Sequence, residues 1–266
     1  MIGVYTIGTF CWEPGIRENL FNELNYLVNE GIKLDLSEDQ AGKYHWLNCA
    51  LADGSGERRP KGENFLRAYL ANIITDLLLN QLTKALMDQM LKNRYHYFDP
   101  GISRIITENA YADLNRLYKA SNGEQNLLRH QTIYKIVDQY LLDNSRLDLE
   151  GFFRFRLKSY FHEVTEALEA AVNRFLAEEE YQQFVELLRH FVKLQDSKIE
   201  EVELLVKSPA EIYMLDEIGH PVLPSQIDSL ATDSEGEWDY EDWLLGALIT
   251  IAPQKIFLHM QERPEV

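Results

Sequence analysis

Between Phe152 and Ser208 the chain runs for 57 residues without a glycine or a proline. Nothing in that stretch favours a turn. Within it Leu157, Phe161, Val164, Leu168, Ala171 and Phe175 recur in alternating steps of four and three. That rhythm is the apolar seam of packed helices. A second run follows, with Tyr181, Phe184, Leu188 and Phe191 plus Val185 and Val192. The spacing predicts two long helices, or one helix with a kink near Ala177–Glu180. The simpler setting is a bundle within one chain; pairing between chains uses the same pattern.

What flanks this stretch is mixed. Ile2 to Ile7 is short, apolar and β-branched, as strands are. Arg17 to Glu30 places Leu20, Leu24, Leu27 and Val28 at helical spacing, and Gly31 stops it. Ile32, Leu34 and Leu36 alternate with Lys33 and Asp35, and Tyr44 to Leu51 reads as a partner strand. The run DGSGERRPKGEN then reads as a loop. From Asn64 a broad apolar stripe predicts a helix buried on more than one side, ended by Asp99-Pro100-Gly101. Two helices over roughly 102–119 and 125–143 follow. After the glycine-free stretch come a hairpin from Val202 to Asp216, a helix near Tyr240–Thr250 and a last strand from Ile256 to His259. The predicted fold class is α+β, a central helical bundle with small sheet elements contributed by both the N- and C-terminal segments. Three segments are expected: 1–62, a helical body over 63–198, and 199–266.

Charge narrows the partners. Of 266 residues, 43 are Asp or Glu and 26 are Lys or Arg, a formal charge of −17. Residues 199–266 hold 15 acids and three bases, so the last quarter carries most of the excess. Such a surface repels phosphate backbones and anionic membranes, which argues against nucleic acid as a partner. No apolar run approaches the length of a membrane span, and the first residues lack the basic start and apolar core of a signal peptide. Two cysteines make no disulfide framework. A cytoplasmic protein is expected, with a protein as its partner and its oligomeric state open.

Several motifs now carry a resemblance. Gly151 to Lys158 reads glycine, aromatics, then RFRLK; Glu180-Tyr181, Phe184, Leu187-Leu188-Arg189 and Phe191-Val192 follow in order. Leu215-Asp216-Glu217 with Gly219, then Glu241-Asp242, Leu244-Leu245 and ALITIAP, complete the series. Over roughly residues 130–260 the chain resembles the YtxC-like sporulation proteins of spore-forming bacteria. The resemblance implies an association with sporulation. It implies no activity and supplies no catalytic residues.

Arg154, Arg156 and Lys158, with His162, could grip a phosphate or a carboxylate-rich partner. On a straight helix Arg154 and Lys158 share a face and Arg156 lies opposite, so the three form no single cradle. The plainer reading pairs them with acids such as Glu150 or the acidic C-terminal segment, their stems covering the seam. His162-Glu163-Val164-Thr165-Glu166 stands one residue away from the zinc motif H-E-x-x-H, and no further ligand is placed. Gly54, Ser55, Gly56 and Gly62 with Arg58, Arg59 and Lys61 lie where a phosphate loop would sit but match no phosphate-loop pattern. The alternating acids Asp233, Glu235, Glu237, Asp239 and Glu241 lack the order of a calcium loop. Cys11 and Cys49 read as buried thiols, and the four tryptophans as packing residues. No motif calls for a cofactor, a metal or a catalytic residue. The expected function is therefore protein–protein interaction, or else capture or turnover of a small anionic ligand near Arg154 and Lys158.

Overall fold

The computed structural model describes residues 4–10, 14–52, 59–119, 124–194, 196–197, 199–208, 211–215, 219–220 and 240–260. Two compact units divide the chain, Met1–Leu176 and Ala177–Val266. The architecture is α+β: helices make the body, and each unit carries one small mixed sheet.

In the first unit β1 (Val4–Phe10) pairs antiparallel with β3 (Tyr44–Leu51), which pairs antiparallel with β2 (Leu34–Ala41). Helix α1 (Pro14–Asn29) starts on a proline whose fixed φ suits a first turn, and it buries Ile16, Leu20, Leu24 and Leu27. It ends on Gly31 at φ +91°, with the Gly31 N–H donating to Val28 O at 3.1 Å and the Ile32 N–H to Leu27 O at 3.1 Å. That pair of bonds closes the last carbonyls of the helix and needs the left-handed backbone glycine allows.

A fourth strand, β4 (Arg146–Asp148), joins β1 in parallel and gives the order β2-β3-β1-β4. Sequence reading missed it because three residues carry no periodicity. Gly8 in β1 faces Trp46 in β3 so closely that a Cβ there would lie 2.3 Å from the indole. The Arg146 guanidinium covers the same ring at 3.8 Å, so β4 is tied to β3 across β1.

The helical body begins with α2 (Arg59–Leu77), a single π turn (Leu78–Leu82) and α3 (Thr83–Arg94). The expected loop over DGSGERRPKGEN is thus corrected: its last part is helix, because Pro60 sits in a first turn where no N–H is required. Residues 53–58 lie outside the described residues. Helices α4 (Pro100–Lys119) and α5 (Glu124–Asp143) follow as the spacing predicts. Then come α6 (Leu149–Arg156) and α7 (Lys158–Leu194). Leu66, Leu70, Ile74, Leu78, Leu82, Leu86, Ala110, Val137, Phe153 and Val164 are fully buried in one continuous core. The seam residues Leu157, Val164, Leu168 and Ala171 pack into it, with Phe161 and Phe175 at its edge. The helix break expected near Ala177–Glu180 lies instead at Leu157, between α6 and α7.

In the second unit β5 (Glu201–Ser208) pairs antiparallel with β6 (Glu211–Leu215) and parallel with β7 (Lys255–Met260). Helix α8 (Tyr240–Ile251) lays Leu244, Ala247 and Ile251 on Val202, Leu204 and Met214. Its end is capped by Ala252 at φ +46°, whose N–H donates to Leu248 O at 2.9 Å ahead of Pro253.

Candidate functional site

The break at Leu157 creates the site. Leu157 has φ −102° and ψ 44°, outside the helical basin, and neither glycine nor proline marks it. Tertiary anchoring of α6 stands beside it. Glu150 in the first turn of α6 is buried, and its Oε1 accepts from Thr9 Oγ1 at 3.1 Å and from the Phe10 N–H at 2.9 Å. Burial, aided by neighbouring Asp148, pushes the Glu150 carboxyl above its ordinary value. Glu150 therefore does not pair with Arg154, Arg156 or Lys158, and that expectation is corrected. Its carboxylate is spent on the β1 strand end.

Because the helix restarts at Lys158, Arg156 and Lys158 line one cleft of about 480 Å³. The straight-helix argument that set Arg156 apart fails for that reason. The facing wall is α5, where Gln125, Leu128, Arg129, Thr132, Ile133 and Ile136 fall at steps of three and four and so share a stripe. Helix α5 is fixed to α2 by Arg67 Nε donating to Asp138 Oδ1 at 2.8 Å, partly buried, and by His130 with Asp76 at 3.0 Å. Leu157, Ser159, Tyr160 and Glu163 complete the lining.

Three cations thus meet apolar walls, against one carboxylate, Glu163. Arg129 is half-buried; its Nη2 donates to Asn126 Oδ1 at 2.8 Å and to Asn115 Oδ1 at 3.1 Å, and its guanidinium stands 5.6 Å from the Tyr160 ring. The Arg156 guanidinium stacks 5.5 Å from Tyr140. The first N–H groups of α7 start at the same place, adding the positive end of the helix dipole. The buried Tyr160 anchors the site from below. Its hydroxyl meets Thr83 Oγ1 at 3.0 Å, while Thr83 Oγ1 donates to Leu78 O at 2.7 Å, so the phenol supplies the proton of the first bond. Burial raises the Tyr160 phenol above its ordinary value, which keeps it a donor. At the end of the π turn the Leu78 carbonyl accepts both the Thr83 N–H and the Thr83 hydroxyl, which fixes the hydroxyl beneath Tyr160.

The other sequence candidates separate. Arg154 points away from the cleft, with Nη2 donating to Gln89 Oε1 at 3.4 Å and its guanidinium 5.8 Å from Phe161. His162 pairs with Glu166 at 3.3 Å on an exposed face, a surface pair one turn apart. Among the described residues none of Arg154, Arg156 and Lys158 stands in an ion pair, and no group of three or more His, Cys, Asp or Glu is gathered as metal ligands would be. Cys49 is buried, which pushes its thiol up to about 12 and leaves it unreactive. Cys11, the Gly54–Gly56 turn and the acids at 233, 235, 237 and 239 lie outside the described residues. Arg129 was not singled out from sequence. The usable signal was its place in the stripe of α5, which faces a cationic segment only once the chain has folded.

No helix of the described residues is long and apolar enough to cross a membrane. No solved structure matches the chain. A protein of Bacillus subtilis (strain 168), called uncharacterized protein YtxC, is 27% identical over 139 residues, which is 52% of this chain and 49% of that protein. The aligned part thus spans about half the length of that curated relative. The model of the YtxC-like family matches residues 68–266, from the middle of α2 through the cleft-forming helices to the end. With its signature run GFFRFRLK building the break that opens the cleft, the chain belongs to the YtxC-like family.

Proposed function

We propose that this chain is a sporulation-associated, cytoplasmic binding protein that works by holding a protein partner rather than by turnover. The sporulation role rests on the family resemblance. The binding role rests on one observation, the convergence of Arg129, Arg156 and Lys158 on an apolar-walled cleft of about 480 Å³. Guanidinium forks and a lysine suit a carboxylate, and Leu128, Ile133, Ile136 and Leu157 suit the apolar groups beside it. The partner is therefore read as presenting an acidic side chain flanked by apolar ones. Because Lys158 and Arg156 are exposed, the attraction weakens as salt screens it.

A free small anion with an apolar body is the second reading, favoured by a cleft volume within the range of small-molecule sites. One experiment treats both. The tagged protein and its Arg156→Glu/Lys158→Glu double variant are incubated with lysate of sporulating cells. Bound proteins and heat-released small molecules are identified by mass spectrometry. A protein held by the wild type and lost from the variant supports the first reading; a small anion with that behaviour supports the second. Equal recovery by wild type and variant removes the cleft from the function.

A further inference from the structure

The later turns of α7 carry large apolar side chains in the open. Tyr181 is 60% exposed, Phe184 46%, Leu187 52%, Phe191 48% and Leu194 70%. The core of the second unit is built from β5, β6 and α8 with Ile199, and no described side chain from 177–194 takes part in it. This face is not a continuation of the seam in the first half of α7. From Phe175 the earlier rhythm leads to Glu178, Gln182, Val185 and Arg189, polar at all but Val185. The second run begins one residue early, which turns it by about 100° around the helix. It is a separate face with its own spacing.

We infer that this face joins two copies of the chain, with the two α7 segments antiparallel about a two-fold axis level with Glu186. Three features carry the inference. First, the steps from Tyr181 to Phe184, Leu188 and Phe191 are three, four and three, which read the same in both directions. Reversal sets Tyr181 opposite Phe191 of the partner copy and Phe184 opposite its Leu188, so every seam residue gains an apolar partner. Second, the charges are graded. Glu178, Glu179 and Glu180 lie at one end and Arg189, His190 and Lys193 at the other. A parallel pair stacks like on like; an antiparallel pair lays acids beside bases. Third, the exposed apolar side chains offer roughly 500 Å² on each copy, about 1,000 Å² in all, the lower bound of a specific interface. A concentration-dependent dimer of modest affinity follows. This surface is independent of the cleft.

The test uses the full chain. Sedimentation equilibrium over a range of concentrations should show the mass rising from 31.0 kDa toward twice that value. Phe184→Glu should weaken the dimer by about tenfold or more while leaving the circular dichroism spectrum unchanged. Orientation is read by disulfide trapping in a Cys11→Ser background. Leu187→Cys, beside the axis, should cross-link with itself. Tyr181→Cys should not, yet it should cross-link when mixed with Phe191→Cys. A wild-type protein that stays monomeric at the highest concentration overturns the inference. So does a dimer indifferent to Phe184→Glu in its folded form, or one in which Tyr181→Cys traps itself and Leu187→Cys does not.

Discussion

From Lys158 to Leu176, α7 sets Tyr160, Val164, Leu168, Ala171 and Val172 into the core of the first unit. From Ala177 to Leu194 the same unbroken helix carries Tyr181, Phe184, Leu187 and Phe191 in the open. Apolar spacing alone therefore announces that a face will be covered, without saying by what. In the first half the cover comes from the chain itself. In the second half no described residue supplies it.

The largest expected effect separates the two halves directly. Leu168→Ala empties a fully packed position and should cost about 3 kcal/mol in urea denaturation. Phe184→Ala, a larger truncation, should cost less than about 0.5 kcal/mol at concentrations where the chain is monomeric. Similar losses at both sites would erase the distinction. Next is Gly8→Ala, which drives a methyl into the Trp46 ring. Displacing that ring from Arg146 should cost about 2 kcal/mol and alter the near-UV spectrum. In the second unit Ala252→Gly relieves a left-handed alanine and should add about 1 kcal/mol of stability.

The subtlest change concerns pH. Glu150 has its folded-state value raised by burial, so the stability it contributes is complete below the ordinary glutamate value. That contribution is lost as pH rises through the raised value. Glu150→Gln keeps an acceptor for Thr9 and Phe10 and removes the titration. The variant's stability should therefore fall less than the wild type's between mildly acidic and neutral pH, as denaturation at several pH values would record.

Much of this fold was legible in the sequence. The strand and helix order of both ends, the two helices of 100–143 and the seam from Leu157 to Phe175 all follow from periodicity and from glycine and proline punctuation. What escaped has physical reasons. The break at Leu157 lacks local punctuation, and its neighbour α6 is anchored by Glu150 reaching β1, some 140 residues earlier in the chain. Strand β4 is too short to show alternation. The cleft needed that break to turn Arg156 and Lys158 to one side, and it needed α5 to bring Arg129 across. Of the four residues singled out from sequence, Arg156 and Lys158 line the cleft, while Arg154 and His162 serve the helix surface.

The wide turn at Leu78–Leu82 has a consequence for how this helix tolerates change in length. It holds one residue more than an ordinary turn, and its wider winding absorbs that surplus, so the helix beyond it keeps its angular phase. Deleting a single residue there would restore regular winding and leave Met87 and Leu91 facing the interior, whereas the same deletion in a regular stretch of the helix would turn them by about 100°. The cost would fall instead on the Thr83–Leu78 contact, which the wide turn shapes and which supports Tyr160.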